Sequence, residues 1–162
     1  MKHTIIAFAL AISLFSCKKK EEEQPTQPTE AVETVDIATK NDQEIQDYLT
    51  KNNLKAEKTA SGLYYIINEA GAGAQPKPES EVTVAYKGYF TNGTVFDQSG
   101  PEGISFGLQQ VIKGWTEGIT YFKKGGSGVL LIPSTIGYGD MAQGPIPGGS
   151  VLIFDIKLID IK

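Results

Sequence analysis

Gln109-Gln110-Val111-Ile112-Lys113-Gly114-Trp115-Thr116-Glu117-Gly118-Ile119-Thr120-Tyr121-Phe122 is the stretch on which the fold turns. Val111, Ile112, Trp115, Ile119 and Phe122 recur at steps of three and four, the period of one helix face. Lys123 and Lys124 suit the negative end of a helix dipole, and Gly125-Gly126 supplies the stop. The spacing therefore predicts one helix over 109–122. Trp115, the only tryptophan of the chain, sits in its middle. Such a residue serves either as plain core or as the floor of an apolar pocket.

Around this helix the sequence reads as strands. On its N-terminal side, Gly62 to Glu69 is rich in β-formers. Val82 to Phe90 alternates, with Val82, Val84 and Tyr86 on one face and Thr83, Ala85 and Lys87 on the other. Asn92-Gly93 is a hairpin signal, so Thr94 to Asp97 returns as the partner strand, with Ile104 to Phe106 a short strand at most. On the C-terminal side, Gly128 to Ile132 is a strand closed by Pro133. The glycines and prolines between Asp140 and Gly149 make a loop, and Val151 to Ile161 alternates with Leu152, Phe154, Ile156 and Leu158 inward. Four to six antiparallel strands and one short helix give an α+β fold: a twisted antiparallel sheet wrapped on the helix. No glycine-rich phosphate loop follows a strand.

Upstream, Ile45, Tyr48 and Leu49 form a helix stripe within Thr39 to Asn52. Asn41 followed by Glu44 is a capping-box start, and Asn52-Asn53 is the stop. A short one-sided helix needs a surface. This lead-in helix, in a 39–61 segment, either docks on the 62–162 domain or makes a dimer contact.

Composition removes whole classes of chemistry. All 15 basic residues are lysines and the net charge is −4, which argues against nucleic acid as a partner. The single histidine and cysteine are His3 and Cys17, so the predicted domain has no imidazole or thiol for nucleophilic catalysis or for a zinc site. No cofactor and no metal is expected.

The apolar run Ile5 to Phe15 is too short for a bilayer core, which takes roughly 20 residues, but it fits a secretory signal. Leu14-Phe15-Ser16-Cys17 resembles the bacterial lipoprotein box, which implies cleavage of residues 1–16 and acylation of Cys17. The charge run 18–23 and the Gln24-Pro25 to Glu33 stretch read as a disordered tether continuing to residue 38. The expected address is the cell envelope, lipid-anchored, with the outer membrane favoured over the inner because Lys18 is not the aspartate of inner-membrane retention.

Seven motifs in order carry a family resemblance: Val84-Ala85-Tyr86-Lys87-Gly88, Asn92 to Asp97, Val111 to Gly118, Ile132-Pro133, Tyr138-Gly139, Ile146-Pro147 and Leu152 to Asp155. The 62–162 domain resembles an FKBP-type peptidyl-prolyl cis-trans isomerase. The resemblance implies an FKBP-like fold and a substrate pocket of Tyr86, Phe96, Val111, Trp115, Ile146 and Phe154. Trp115 would lie flat beneath the proline. Asp97, Tyr138 and the backbone N–H of Ile112 would be the catalytic groups, the last two binding substrate carbonyls. The implied partners are proline-containing polypeptides, and rapamycin-type macrolides as ligands. The chemistry is consistent with the composition, because twisting an X–Pro amide against a barrier of about 18–20 kcal/mol needs no nucleophile. An apolar pocket favours the less polar twisted state.

Three departures stand out. The arginine that often follows Phe-Asp in the family is absent, so Asp97 needs Tyr86, another hydroxyl or a lysine as partner if it is buried. The extra phenylalanine of strong macrolide binders is replaced by Glu102 or Ile104. The loop between Tyr138 and Phe154 holds Met141 and Pro145. Besides the enzyme, the sequence leaves open a proline-binding module on the same fold and a lipid-anchored part of an envelope machine such as gliding.

Overall fold

The computed structural model describes residues 36–162. The leader, Cys17 and all but the end of the tether lie outside the described residues. Ile37 and Ala38, expected as the end of that tether, are already helical.

Helix α1 (Ile37–Lys51) is followed by β1 (Glu57–Lys58), β2 (Tyr64–Glu69), β3 (Glu81–Tyr89), β4 (Val95–Gln98) and β5 (Ile104–Gly107). Then come helix α2 (Lys113–Gly118), β6 (Ser127–Ile132) and β7 (Leu152–Ile161). The strands form one antiparallel sheet in the order β1-β2-β6-β7-β3-β4, and β5 pairs with the N-terminal end of β3 on the β4 side. This is the antiparallel sheet wrapped on a short helix that the sequence predicts. The count rises to seven because Glu57–Lys58, two exposed residues without periodicity, pair with Tyr65 and Tyr64.

Alternation along the strands divides the apolar residues between two faces. Leu63, Val82, Val84, Leu130, Ile132, Leu152, Phe154, Ile156 and Leu158 pack with Trp115, Ile119 and Phe122 on the α2 face. Tyr64, Leu131, Val151 and Ile153 pack with Ile45 and Leu49 on the other. The lead-in helix thus docks on the sheet. Its stop is as expected: Asn53 takes a left-handed φ of 53°, and Leu54 N–H donates to Leu49 O at 2.9 Å. Its start is not. Asn41 lies inside the helix, fully buried, and its side chain bonds distant backbone instead of capping.

The central helix is shorter than its periodicity suggests. Only Lys113–Gly118 is α-helical, followed by a 3-10 turn, Ile119–Tyr121. Val111 and Ile112 are extended, with φ, ψ of −117°, 175° and −60°, 149°, in keeping with β-branched preference, and Phe122 is extended again. All five apolar residues still face the core, so side-chain period overstated helix length. Lys124 consequently does not sit on the helix end but pairs with Asp160. Gly114 and Gly118 seat α2 tightly on β6. A Cβ there would meet Ile132 and Leu130 at 2.5 Å in each case.

Candidate functional site

The nine pocket residues named from the sequence line one cavity of about 780 Å³. Trp115 comes from α2 and is 5% exposed. The Tyr86 ring from β3 stands edge-on to it at 5.1 Å and 86°, and the Phe154 ring from β7 at 5.1 Å and 85°. Phe96 meets Phe154 at 5.5 Å, again at right angles. Edge-to-face contacts of this kind are favourable aromatic geometry. The result is a flat indole boxed by upright rings.

Two backbone devices build that box. The register between β3 and β4 shifts at Phe96: Gly88 faces Asp97 and Tyr89 faces Val95. A regular strand would send Phe96 and Asp97 to opposite faces, whereas this bulge lets both line the cavity. Gly88 leaves room for the rings behind them. A Cβ at that position would stand 2.6 Å from Phe96 and 2.8 Å from Phe154.

Asp97 receives the Tyr86 hydroxyl at 2.6 Å and the Gln98 N–H at 2.9 Å. The premise of a buried carboxylate does not hold, since Asp97 is exposed at the cavity mouth, and Tyr86 is the hydroxyl partner it finds there. Burial first, and then the hydrogen bond to Asp97, push the Tyr86 phenol well above its ordinary range. It therefore keeps its proton at neutral pH and donates a hydrogen bond to Asp97.

Val111 and Ile112 enter from the extended residues ahead of α2. Ile112 O accepts from Trp115 N at 2.9 Å and Thr116 N at 3.1 Å, while Ile112 N–H donates to no described residue. Tyr138 and Ile146 come from the loop between β6 and β7. Ile146 is 7% exposed and is held by a reciprocal backbone pair with Gln143. Tyr138 is 43% exposed at the rim. One polar atom in the floor, Trp115 Nε1, is buried without a partner among the described residues.

Sequence reasoning missed Phe106, whose ring is 5.3 Å from Trp115, and Gln110. The signal for Phe106 was there in the alternation Ile104-Ser105-Phe106. Ile104 and Phe106 both line the cavity, while Ser105 hydrogen-bonds Thr83 on the other side. Ile104, read only as a stand-in for a phenylalanine, is a wall. Met141 is 78% exposed and not part of the lining. Among the described residues no cluster of three or more His, Cys, Asp or Glu could hold a metal ion.

This geometry coincides with a family match. The model of FKBP-type peptidyl-prolyl cis-trans isomerases matches residues 73–159, a span containing the whole cavity. The chain belongs to the FKBP-type peptidyl-prolyl cis-trans isomerase family. It is 51% identical over 108 residues to the FKBP-type peptidyl-prolyl cis-trans isomerase FkpA of Buchnera aphidicola subsp. Schizaphis graminum, covering 65% of this chain and 43% of that one. It is 46% identical over 111 residues to FkpA of Escherichia coli strain K12, covering 67% and 41%. The chain thus spans a little under half the length of these curated FKBP relatives. Among solved structures, the crystal structure of Escherichia coli FkpA superposes with a TM-score of 0.69 at 40% identity, over 77% of this chain and 61% of that one. A peptidyl-prolyl cis-trans isomerase from Pseudomonas syringae pv. tomato gives 0.66 at 30% identity, over 77% and 93%.

Proposed function

We propose that this FKBP is a peptidyl-prolyl cis–trans isomerase acting on proline-containing polypeptides in the cell envelope. The observation that carries the reading is the indole floor of Trp115 boxed by Tyr86 and Phe154. A proline ring laid on Trp115 leaves water, and its X–Pro amide comes to lie between two kinds of polar group at the cavity mouth. The unpaired Ile112 N–H takes one substrate carbonyl and the Tyr138 hydroxyl another, which pins the chain on either side of the turning bond. The amide itself faces Asp97, held in place by Tyr86. Rotation moves charge off the carbonyl oxygen, so an apolar enclosure stabilises the twisted state relative to the planar one. No covalent intermediate arises, and the proton inventory does not change.

The same cavity would take rapamycin-type macrolides, weakened where Ile104 offers less surface than an aromatic side chain. On the same proposal, acylated Cys17 holds the domain at a membrane, the outer one favoured.

A protease-coupled assay of Xaa-Pro isomerisation tests the activity. The protein should accelerate the reaction, and Asp97→Val, Phe154→Tyr and Tyr138→Phe should each slow it. Equal rates with and without protein would remove the enzyme reading. Cys17→Ser should shift the protein from the membrane to the soluble fraction, and unchanged fractionation would remove the anchor.

A further inference from the structure

The carboxamide of Asn41 reaches across to the loop between β6 and β7 and touches both of its ends. Asn41 Oδ1 accepts from Ser134 N–H at 2.8 Å, and Asn41 Nδ2 donates to Gly149 O at 2.9 Å. Inside the loop, Gly139 N–H donates to Ser134 O at 2.8 Å and Gly149 N–H to Gly139 O at 2.9 Å. These four bonds close a ring: Asn41, Ser134, Gly139, Gly149 and back to Asn41. Tyr138 is the neighbour of one ring member. Ile37, one turn earlier on α1, approaches Gly149 so closely that a Cβ there would lie 2.9 Å from its Cδ1. Gly149 also has a φ of +72°, a conformation that suits glycine.

We infer that Asn41 is a positioning residue for the proline site: from the opposite face of the sheet, α1 fixes the loop that presents Tyr138. A carboxamide offers one acceptor and two donors in one plane. It can therefore satisfy an N–H at the start of the loop and a C=O at its end together, which no aliphatic residue can do. The Ser134 bond is buried, with Asn41 0% exposed and Ser134 1%, and the Gly149 bond is partly buried, so water does not readily replace the Ser134 bond when Asn41 is removed. Without the closing residue, the ring of hydrogen bonds is open and Gly139 alone bonds both Ser134 and Gly149 inside the loop, so Tyr138 gains freedom at the rim. The inference rests on the isomerase reading for its kinetic consequence, but the ring can be tested without it.

The test compares Asn41→Ala with Ile45→Ala, which loosens α1 without touching the ring. Amide hydrogen exchange at Gly139 and Gly149 should rise in Asn41→Ala while β6 and β7 stay protected. In Ile45→Ala the two amides should keep their protection under conditions where the protein is folded. Unchanged exchange at Gly139 and Gly149 in Asn41→Ala overturns the inference whether or not the protein is an isomerase. In the isomerisation assay, Asn41→Ala should lower kcat/KM roughly three- to tenfold, mainly through KM, and Ile45→Ala should leave it unchanged. In a Tyr138→Phe background the Asn41→Ala effect should shrink towards none, because both act on the same hydroxyl. Equal losses in Asn41→Ala and Ile45→Ala, or an undiminished loss in the Tyr138→Phe background, would show that Asn41 is merely structural. Should Asn41→Ala fail to fold, Asn41→Ser, which keeps a short donor and acceptor, carries the same comparisons.

Discussion

The two faces of one sheet both bury apolar side chains and do different things with them. On the α1 face, Ile45, Leu49, Leu131, Val151 and Ile153 close over one another. On the α2 face, Trp115, Tyr86, Phe96, Phe106 and Phe154 leave a cavity of about 780 Å³ between their rings. Branched aliphatic side chains fill space, whereas rigid rings in edge-on contact cannot collapse into the space they frame. The same strands feed both faces by alternation: Leu130 and Phe154 go one way, Leu131 and Ile153 the other. A single sheet thus carries a solid support and an open site back to back. The two should therefore be open to separate damage.

The largest separation should come from Ile45→Ala. Removing a fully buried isoleucine should cost about 2–5 kcal/mol, read as a fall in the urea midpoint, with isomerisation kinetics intact below the transition. Tyr86→Phe does the reverse. It takes from Asp97 its phenol partner, so catalysis should fall several-fold while stability changes by about 1 kcal/mol.

Alkaline pH sharpens the comparison, because each face holds a phenol pushed upward. For Tyr86 the cause is burial and then Asp97; for Tyr89 it is burial, then hydrogen bonds to Tyr48 and Asp155. A phenol with a raised folded pKa contributes stability that is fully present below its unfolded value, about 10, and is lost as pH rises towards the folded value. Urea midpoints should be flat to about pH 10 and then fall, and Tyr86→Phe and Tyr89→Phe should each blunt the decline. The smallest effect belongs to the surface of α1. Asp42 is held below its ordinary carboxylate range, chiefly by Lys58, so its contribution is present above about pH 4 and lost as pH falls further. Asp42→Asn should flatten that acid limb slightly, and 1 M salt should have the same effect on an exposed pair.

The open face was more legible in the sequence than the closed one, for physical reasons. Tyr86, Phe154 and their neighbours are fixed by period-two alternation, and the hairpin at Asn92-Gly93 sets where Phe96 and Asp97 return. Ordered motifs then tied these segments to Trp115. Besides Phe106 and Gln110, three things escaped. The helix limits were misjudged because Val111 and Phe122 keep a helical spacing while their backbones are extended. Glu57–Lys58 carries no period at all. Asn41 resembles a cap locally, and only its contacts with Ser134 and Gly149, 93 and 108 residues away, reveal what it holds.

On the reading proposed above, the boxed face of Trp115 turns prolyl bonds. Exchange NMR on a short Xaa-Pro peptide with a small amount of the protein tests it most directly. Cis–trans exchange cross-peaks should appear with the wild-type protein and vanish with Asp97→Val. Exchange no faster than in the peptide alone, or equally fast with Asp97→Val, would contradict it.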